Sequence, residues 1–255
     1  MNMKSKRVLV TGSSRGIGKA TALELARLGA TVVVHGRTMS DELAATYQAV
    51  RAASPSSIMA TADLARVGEI DALFERIDRE LAGLDALVNN AATQKPPGAL
   101  IDLAVEDWDQ VLAVNLRAPF LCAQRAARLM RRRHQGGTIL NISSVHAFDP
   151  RRNHGDYSTA KGGLQQLTRC LALELAADNI TANVLVVGAI ATELTPPDRQ
   201  AAISSAIPAG RVGRSDEVAK AVAFLCSEDA RYISGASLTI DGGLTLGFCA
   251  HRLDL

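Results

Sequence analysis

Disulfide and metal chemistry are the first things this sequence lacks. Its 255 residues hold four cysteines, Cys122, Cys170, Cys226 and Cys249, with no C-x-x-C pair and no Cys/His grouping at ligand spacing. That pattern argues against a zinc site or a disulfide framework and predicts buried, reduced thiols. Long apolar runs are missing too. Met1 to Arg7 is short and basic, and Val8-Leu9-Val10 runs directly into Thr11-Gly12. Nothing here has the length of a signal-peptide core or a membrane span, so a soluble, cytoplasmic protein is expected. Excess charge is also absent. The net charge is +2 with both signs interleaved, so nothing demands a nucleic-acid partner. The one dense basic run, Arg131-Arg132-Arg133-His134, ends a predicted helix, where cations complement the helix dipole. Docking of an acidic partner is the alternative reading of that run. No linker, low-complexity tract or internal repeat interrupts the chain, so residues 1–255 are expected to form one domain.

A hydrophobic content of 47% is enough to bury one substantial core. Short β-branched runs alternate with amphipathic stretches of helical length. Strands are predicted over 7–10, 31–34, 57–61, 86–88, 138–142, 181–187 and 237–240. Helices are predicted over 16–28, 41–52, 67–81, 105–133, 157–177 and 215–227. Such alternation implies an α/β fold, a doubly wound parallel sheet with helices on both faces, and ligands beyond the carboxyl ends of its strands.

The segments that follow those strands carry the chemistry. Gly12, Gly16 and Gly18 lie in Thr11-Gly12-Ser13-Ser14-Arg15-Gly16-Ile17-Gly18, between a strand and a helix. Small residues there let backbone approach a pyrophosphate, while the helix N-terminus offers free amides and positive partial charge. Tyr157 and Lys161 stand four apart in Asp156-Tyr157-Ser158-Thr159-Ala160-Lys161, a spacing that stacks them on one helix face. A tyrosine with a pKa of about 10 is a poor base at neutral pH. Lowering it by roughly three units takes about 4 kcal/mol of preferential phenolate stabilisation, which a lysine cation and a cationic nicotinamide ring together can provide. Ser144 precedes Tyr157 by thirteen positions. Taken singly, Tyr157 reads equally as a half-buried helix tyrosine, and Asn115 as a polar group satisfying a helix bend near Pro119.

In this order and spacing, the glycine loop, Asp63-Leu64, Asn89-Asn90-Ala91-Ala92, Asn115, Ser143-Ser144, Tyr157…Lys161 and Asp241-Gly242-Gly243 resemble the short-chain dehydrogenase/reductase family over nearly the whole chain. The resemblance implies a Rossmann-type fold, a nicotinamide cofactor and hydride transfer to or from a carbonyl or hydroxyl group. It implies Tyr157 as general acid or base and Lys161 as the group that lowers its pKa and holds the nicotinamide ribose. Ser144 is implied as the donor to the substrate oxygen, and Asn115 as the residue that positions a proton-relaying water. Ser143 is left to support the backbone. The cofactor-binding set implied is Gly12, Ser14, Arg15, Gly16, Ile17, Gly18, Arg37, Asp63, Leu64, Asn89, Ala91, Tyr157, Lys161, Gly188, Ile190 and Thr192. Asp63 also reads as a helix N-cap for Leu64 onward.

The second strand is followed by His35-Gly36-Arg37-Thr38, with no carboxylate to take the adenosine ribose hydroxyls. Arg15 and Arg37 instead suit a 2′-phosphate, so NADP(H) is expected over NAD(H). One departure from the family pattern is Val187, where a proline is usual; its loss should loosen that turn slightly. Substrate specificity falls to the loop between Ser144 and Tyr157, with His146, Phe148, Arg151, Arg152 and His154, and to a variable segment of about 193–208, which is too short for a large lid. The pattern is similar both to bacterial glucose dehydrogenases and to 3-oxoacyl-carrier-protein reductases of the family. It implies a small carbonyl or alcohol substrate and a homotetramer, with Leu244, Leu246 and Phe248 available to pack across a two-fold axis. The rival readings are a sugar or polyol dehydrogenase using NAD, a sugar-nucleotide epimerase or dehydratase, and an NADP(H)-sensing regulator without turnover.

Overall fold

The computed structural model describes residues 1–193 and 195–246. β1 (Arg7–Val10) leads into α1 (Gly16–Arg27), β2 (Thr31–Gly36) into α2 (Asp41–Ala53), and β3 (Ile58–Thr61) into α3 (Val67–Leu81). β4 (Ala86–Asn89) is followed by α4 (Val105–Leu112), a π-helical turn (Ala113–Arg117) and α5 (Ala118–Arg133). Then come β5 (Gly137–Ser144), α6 (Gly155–Leu175), β6 (Ile180–Val187) and the short β7 (Ile190–Ala191). α7 (Pro197–Ser204), β8 (Gly213–Arg214), α8 (Ser215–Leu225) and β9 (Ser237–Ile240) complete the order.

Seven strands form one parallel sheet in the order β3-β2-β1-β4-β5-β6-β9, and β7 pairs separately with β8. The two-residue period of a strand builds both faces. Val8 and Val10 of β1, with Val32 and Val34 of β2, pack beneath Ala22 and Leu25 of α1 and Val218 and Val222 of α8. Leu9, Val33 and Leu87 point the other way, onto Ile70, Phe74 and Ile77 of α3 and Cys122 and Ala126 of α5. Strands buried on both sides must be nearly all apolar, which is why they read as β-branched runs. The chain runs outward in opposite directions from β1 and β4, which are neighbours, and their carboxyl ends open the cleft described below.

Several expectations are corrected here. The stretch 105–133 is not one regular helix: Ala118 N–H reaches Ala113 O across the π turn. Pro119 has no N–H, so the main-chain carbonyl of Asn115 lacks its usual donor four residues on, which favours a local change of pitch. Cys122 and Cys226 are buried, with burial pushing both thiols up to about 12, but Cys170 is exposed on α6. The segment 193–208 carries α7, entered from Pro196 at φ −59° and tied by Gln200 Nε2 donating to Thr195 O at 2.8 Å. Val187 is the last residue of β6. It pairs with Ser144 on one side and Ile240 on the other, and the turn starts at Gly188. Leu244 packs on Val145, Val184 and Val186 of its own chain, whereas Leu246 is exposed. Phe248 and Cys249 lie outside the described residues.

Candidate active site

The glycine loop is shaped by close contacts that only glycine permits. Gly12 and Gly16 sit at φ +63° and +58°. A Cβ on Gly18 would stand 2.3 Å from Gly12 O and 2.5 Å from Asn90 Nδ2. Asn90 and Thr11 fasten the loop to the end of β4: Asn90 Nδ2 donates to Thr11 O and Gly12 O at 2.9 and 3.0 Å, and Thr11 Oγ1 accepts from the amides of Asn90 and Ala91. A second fastening runs to β2. Ser13 N donates to His35 O and His35 N to Ser13 Oγ, both at 2.8 Å, while Gly12 N donates to His35 Nδ1 at 3.1 Å. His35 Nε2 then donates to Ala62 O, and burial pushes this imidazole down to about 4, so it is neutral.

A cleft of about 730 Å³ runs along this loop. Gly12, Ser14, Arg15, Gly16, Ile17 and Gly18 form one wall, Arg37 lies after β2, and Asp63 and Leu64 lie after β3. Ala91 to Gln94 form the side after β4, with Thr192 and Glu193 across the mouth. Arg15 and Arg37 are both exposed in this lining. The cleft also holds Glu42, whose carboxyl is lowered first by its own amide and then by Ser40. Asp63 caps no helix: Oδ1 accepts from Ala65 N at 3.0 Å, and α3 begins only after Arg66.

A nicotinamide dinucleotide fits these residues on two observations. The loop glycines leave backbone bare along the wall. An anion already meets the first amide of α1: Glu193 Oε2 accepts from Gly16 N at 3.0 Å, and Lys19 Nζ lies 3.6 Å from the same carboxylate.

At the carboxyl end of β5, Ser144, Tyr157 and Lys161 come together. Tyr157 is half-buried, with the Lys161 ammonium 5.5 Å from its ring centroid and the His146 ring edge-on at 6.5 Å. Lys161 is 3% exposed; its Nζ donates to Ile142 O at 2.8 Å, and burial lowers its pKa to about 8. Ser143 Oγ donates to Lys161 O, supporting the α6 backbone. Burial raises the phenol of Tyr157, while hydrogen bonds from Gln94 and Ser144 pull it back. Within the chain desolvation outweighs those donors, and the Lys161 ammonium donates to the Ile142 carbonyl. Asn115 is fully buried, and both ends of its amide hold the Thr93 peptide: Oδ1 accepts from Thr93 N and Nδ2 donates to Thr93 O, each at 2.8 Å.

Besides Tyr157 and Lys161, three of the cofactor-binding candidates, Asn89, Gly188 and Ile190, do not line this cleft. Asn89 turns into the core, donating to Asn141 Oδ1 at 2.8 Å and to Pro119 O. Gly188 packs against Asp241, and the Ile190 side chain covers Gly213. Conversely, His35, Gln94 and Glu193 were missed. Their partners lie far along the chain (Gly16 and Glu193 are 177 residues apart), and no local pattern announces such contacts.

The family model for enoyl-(acyl-carrier-protein) reductase matches residues 12–245. Glucose 1-dehydrogenase of Gluconobacter oxydans is 38% identical over 246 residues, covering 94% of this chain and 92% of that one. The 3-oxoacyl-[acyl-carrier-protein] reductase of Escherichia coli is 36% identical over 96% of this chain and 99% of its own. The crystal structure of acetoin dehydrogenase from Salmonella typhimurium superposes with a TM-score of 0.90 at 36% identity, covering 96% and 98% of the two chains.

Proposed function

The chain belongs to the short-chain dehydrogenase/reductase family and is an oxidoreductase of that kind, and we propose that it interconverts a carbonyl and a secondary alcohol with NADP(H), using Tyr157 as general acid or base. The observation that carries this reading is the convergence of Ser144, Tyr157 and Lys161 beside the glycine-loop cleft. When bound, the nicotinamide supplies or accepts the hydride.

The protein's share is placement of protons and charge. Reduction builds alkoxide character on the substrate oxygen, and the hydroxyls of Ser144 and Tyr157 are fixed donors for it. Tyr157 hands over its proton as that charge develops. Lys161, cationic below about pH 8, adds positive charge behind the phenol, which stabilises the phenolate left when the proton is handed over. Asn115 pins the Thr93 segment and leaves its main-chain carbonyl without an α-helical donor, which suits an acceptor for a relaying water.

Arg15 and Arg37 support NADP(H), since two guanidiniums can grip a 2′-phosphate with charge-assisted hydrogen bonds. One domain carries both sites, the segment 193–208 lies beside the substrate, and the substrate is a small molecule. For its identity, the named relatives favour 3-oxoacyl thioesters, sugars and acetoin-like ketones. A homotetramer fits the exposed β9, with Leu238 and Leu246 uncovered. No helix among the described residues is long and apolar enough to cross a membrane, in keeping with a cytoplasmic enzyme.

The test is oxidation of NADPH, with NADH in parallel, against a short 3-oxoacyl thioester, acetoin and an aldose in the reverse direction. Turnover with NADPH supports the reading. Turnover only with NADH moves the enzyme to the sugar or polyol dehydrogenase reading.

A further inference from the structure

We infer that Glu193 is an internal competitor whose carboxylate occupies the phosphate end of the cofactor cleft and must leave the Gly16 amide when the cofactor binds. This rests on the dinucleotide reading of the cleft. Gly16 opens α1, and its amide is among the donors that a helix cannot satisfy internally. That amide donates to Glu193 Oε2 at 3.0 Å, and Lys19 stands 3.6 Å from Oε1. A pyrophosphate needs the same amide and the same positive field. The two anions cannot share them, so the carboxylate leaves when the dinucleotide binds.

The carboxylate sits at the head of a hydrogen-bonded turn. Glu193 follows Thr192, whose hydroxyl pairs with that of Thr195 at 3.2 Å, and Thr195 O receives Gln200 Nε2 from α7. The charged groups facing Glu193 are Lys19 from α1 and Arg214 and Asp216 from the start of α8, which line the adjoining cavity. Its own amide and that of Gly16 hold the carboxyl below its ordinary range, so it stays charged at neutral pH.

The experiment is calorimetric titration of the full chain with two ligands, NADP⁺ and adenosine 2′-monophosphate, which has no pyrophosphate. Glu193→Ala should bind NADP⁺ about three- to ten-fold more tightly, since a competitor in a helix-terminus site is removed, with Glu193→Gln in between. Adenosine 2′-monophosphate should bind equally to all three proteins. Unchanged or weaker NADP⁺ binding in Glu193→Ala overturns the inference, and so does equal tightening of both ligands, which would mark a general loosening of the cleft. If the wild type prefers NAD⁺, the same ratio is read with NAD⁺ against adenosine. A wrong choice of dinucleotide and a wrong role for Glu193 then give different results.

Discussion

His35 Nδ1 accepts the backbone amide of Gly12 at 3.1 Å, so the first turn of the glycine loop is held by an imidazole that must be neutral. Only the Nε2–H tautomer can take that amide and also donate to Ala62 O. Protonation would set two N–H groups against each other in a buried site. The folded pKa of about 4 lies below the ordinary 6.5, so the unfolded chain takes up the proton first as pH falls. Stability from this group is complete above about pH 6.5 and is lost on the way down to about 4, with roughly 2 kcal/mol gone at pH 5. Urea unfolding of the wild type and His35→Gln at pH 7 and pH 5 measures this. The variant's pH 7-to-5 loss should be smaller by about that amount; equal losses would show that His35 does not titrate in the window.

Gly18→Ala should cripple cofactor binding while leaving the sheet intact. The new Cβ meets Gly12 O at 2.3 Å and Asn90 Nδ2 at 2.5 Å, and backbone there cannot yield without moving the loop. We expect dinucleotide affinity to fall at least about ten-fold, equivalent to about 1.4 kcal/mol. Gly68→Ala, on α3 with nothing within 4 Å of its Cβ, is the control and should be neutral or slightly stabilising. Equal behaviour of the two variants would contradict the packing argument.

Lys161→Met should gain stability and lose activity. A buried ammonium whose pKa drops from 10.5 to about 8 costs on the order of 3 kcal/mol at neutral pH, offset by about 1 kcal/mol for its bond to Ile142 O. The cost is fully present below about pH 8 and fades as pH rises through 10.5, because the folded state gives up its proton first. Thermal unfolding should show the variant more stable at pH 7, with the gap narrowing by pH 10. A less stable variant at pH 7 would mean that packing or hydrogen bonding outweighs desolvation.

Arg37→Asp should exchange cofactor preference. It removes one of two cationic forks from the cleft and places a carboxylate where ribose hydroxyls can be taken. The ratio of kcat/KM for NADPH over NADH should fall about a hundred-fold or more, given charge-assisted bonds of roughly 1.5–3 kcal/mol and added repulsion. An unchanged ratio removes Arg37 from the 2′-phosphate site.

What the sequence disclosed follows from what is local. α3 over Val67–Leu81 and β9 over Ser237–Ile240 match their predicted bounds, because apolar periodicity and flanking breakers are properties of adjacent residues. Ser144 lies at the end of β5 and Tyr157 and Lys161 on α6, both elements whose apolar patterns are local. The π turn at Ala113–Arg117 stayed hidden, since one extra residue in a turn barely disturbs the periodicity of a long helix. α7 was read as loop because its eight residues, 197–204, are too few to set up a clear period. The side-chain contacts of Asn89 and Glu193 were hidden for a different reason. Asn89 meets Asn141 and Glu193 meets Gly16 only after the sheet has formed, so their roles belong to tertiary contact rather than to pattern.

The most direct test of the account is Tyr157→Phe, assayed by NADPH binding and by single-turnover reduction of whichever carbonyl the wild type accepts. The substitution keeps the ring against Lys161 and His146 and deletes only the hydroxyl that Gln94 and Ser144 address. The account predicts NADPH affinity within about two-fold of wild type and hydride transfer slower by about 10²–10⁴-fold. Transfer at a rate within a few-fold of wild type would contradict it.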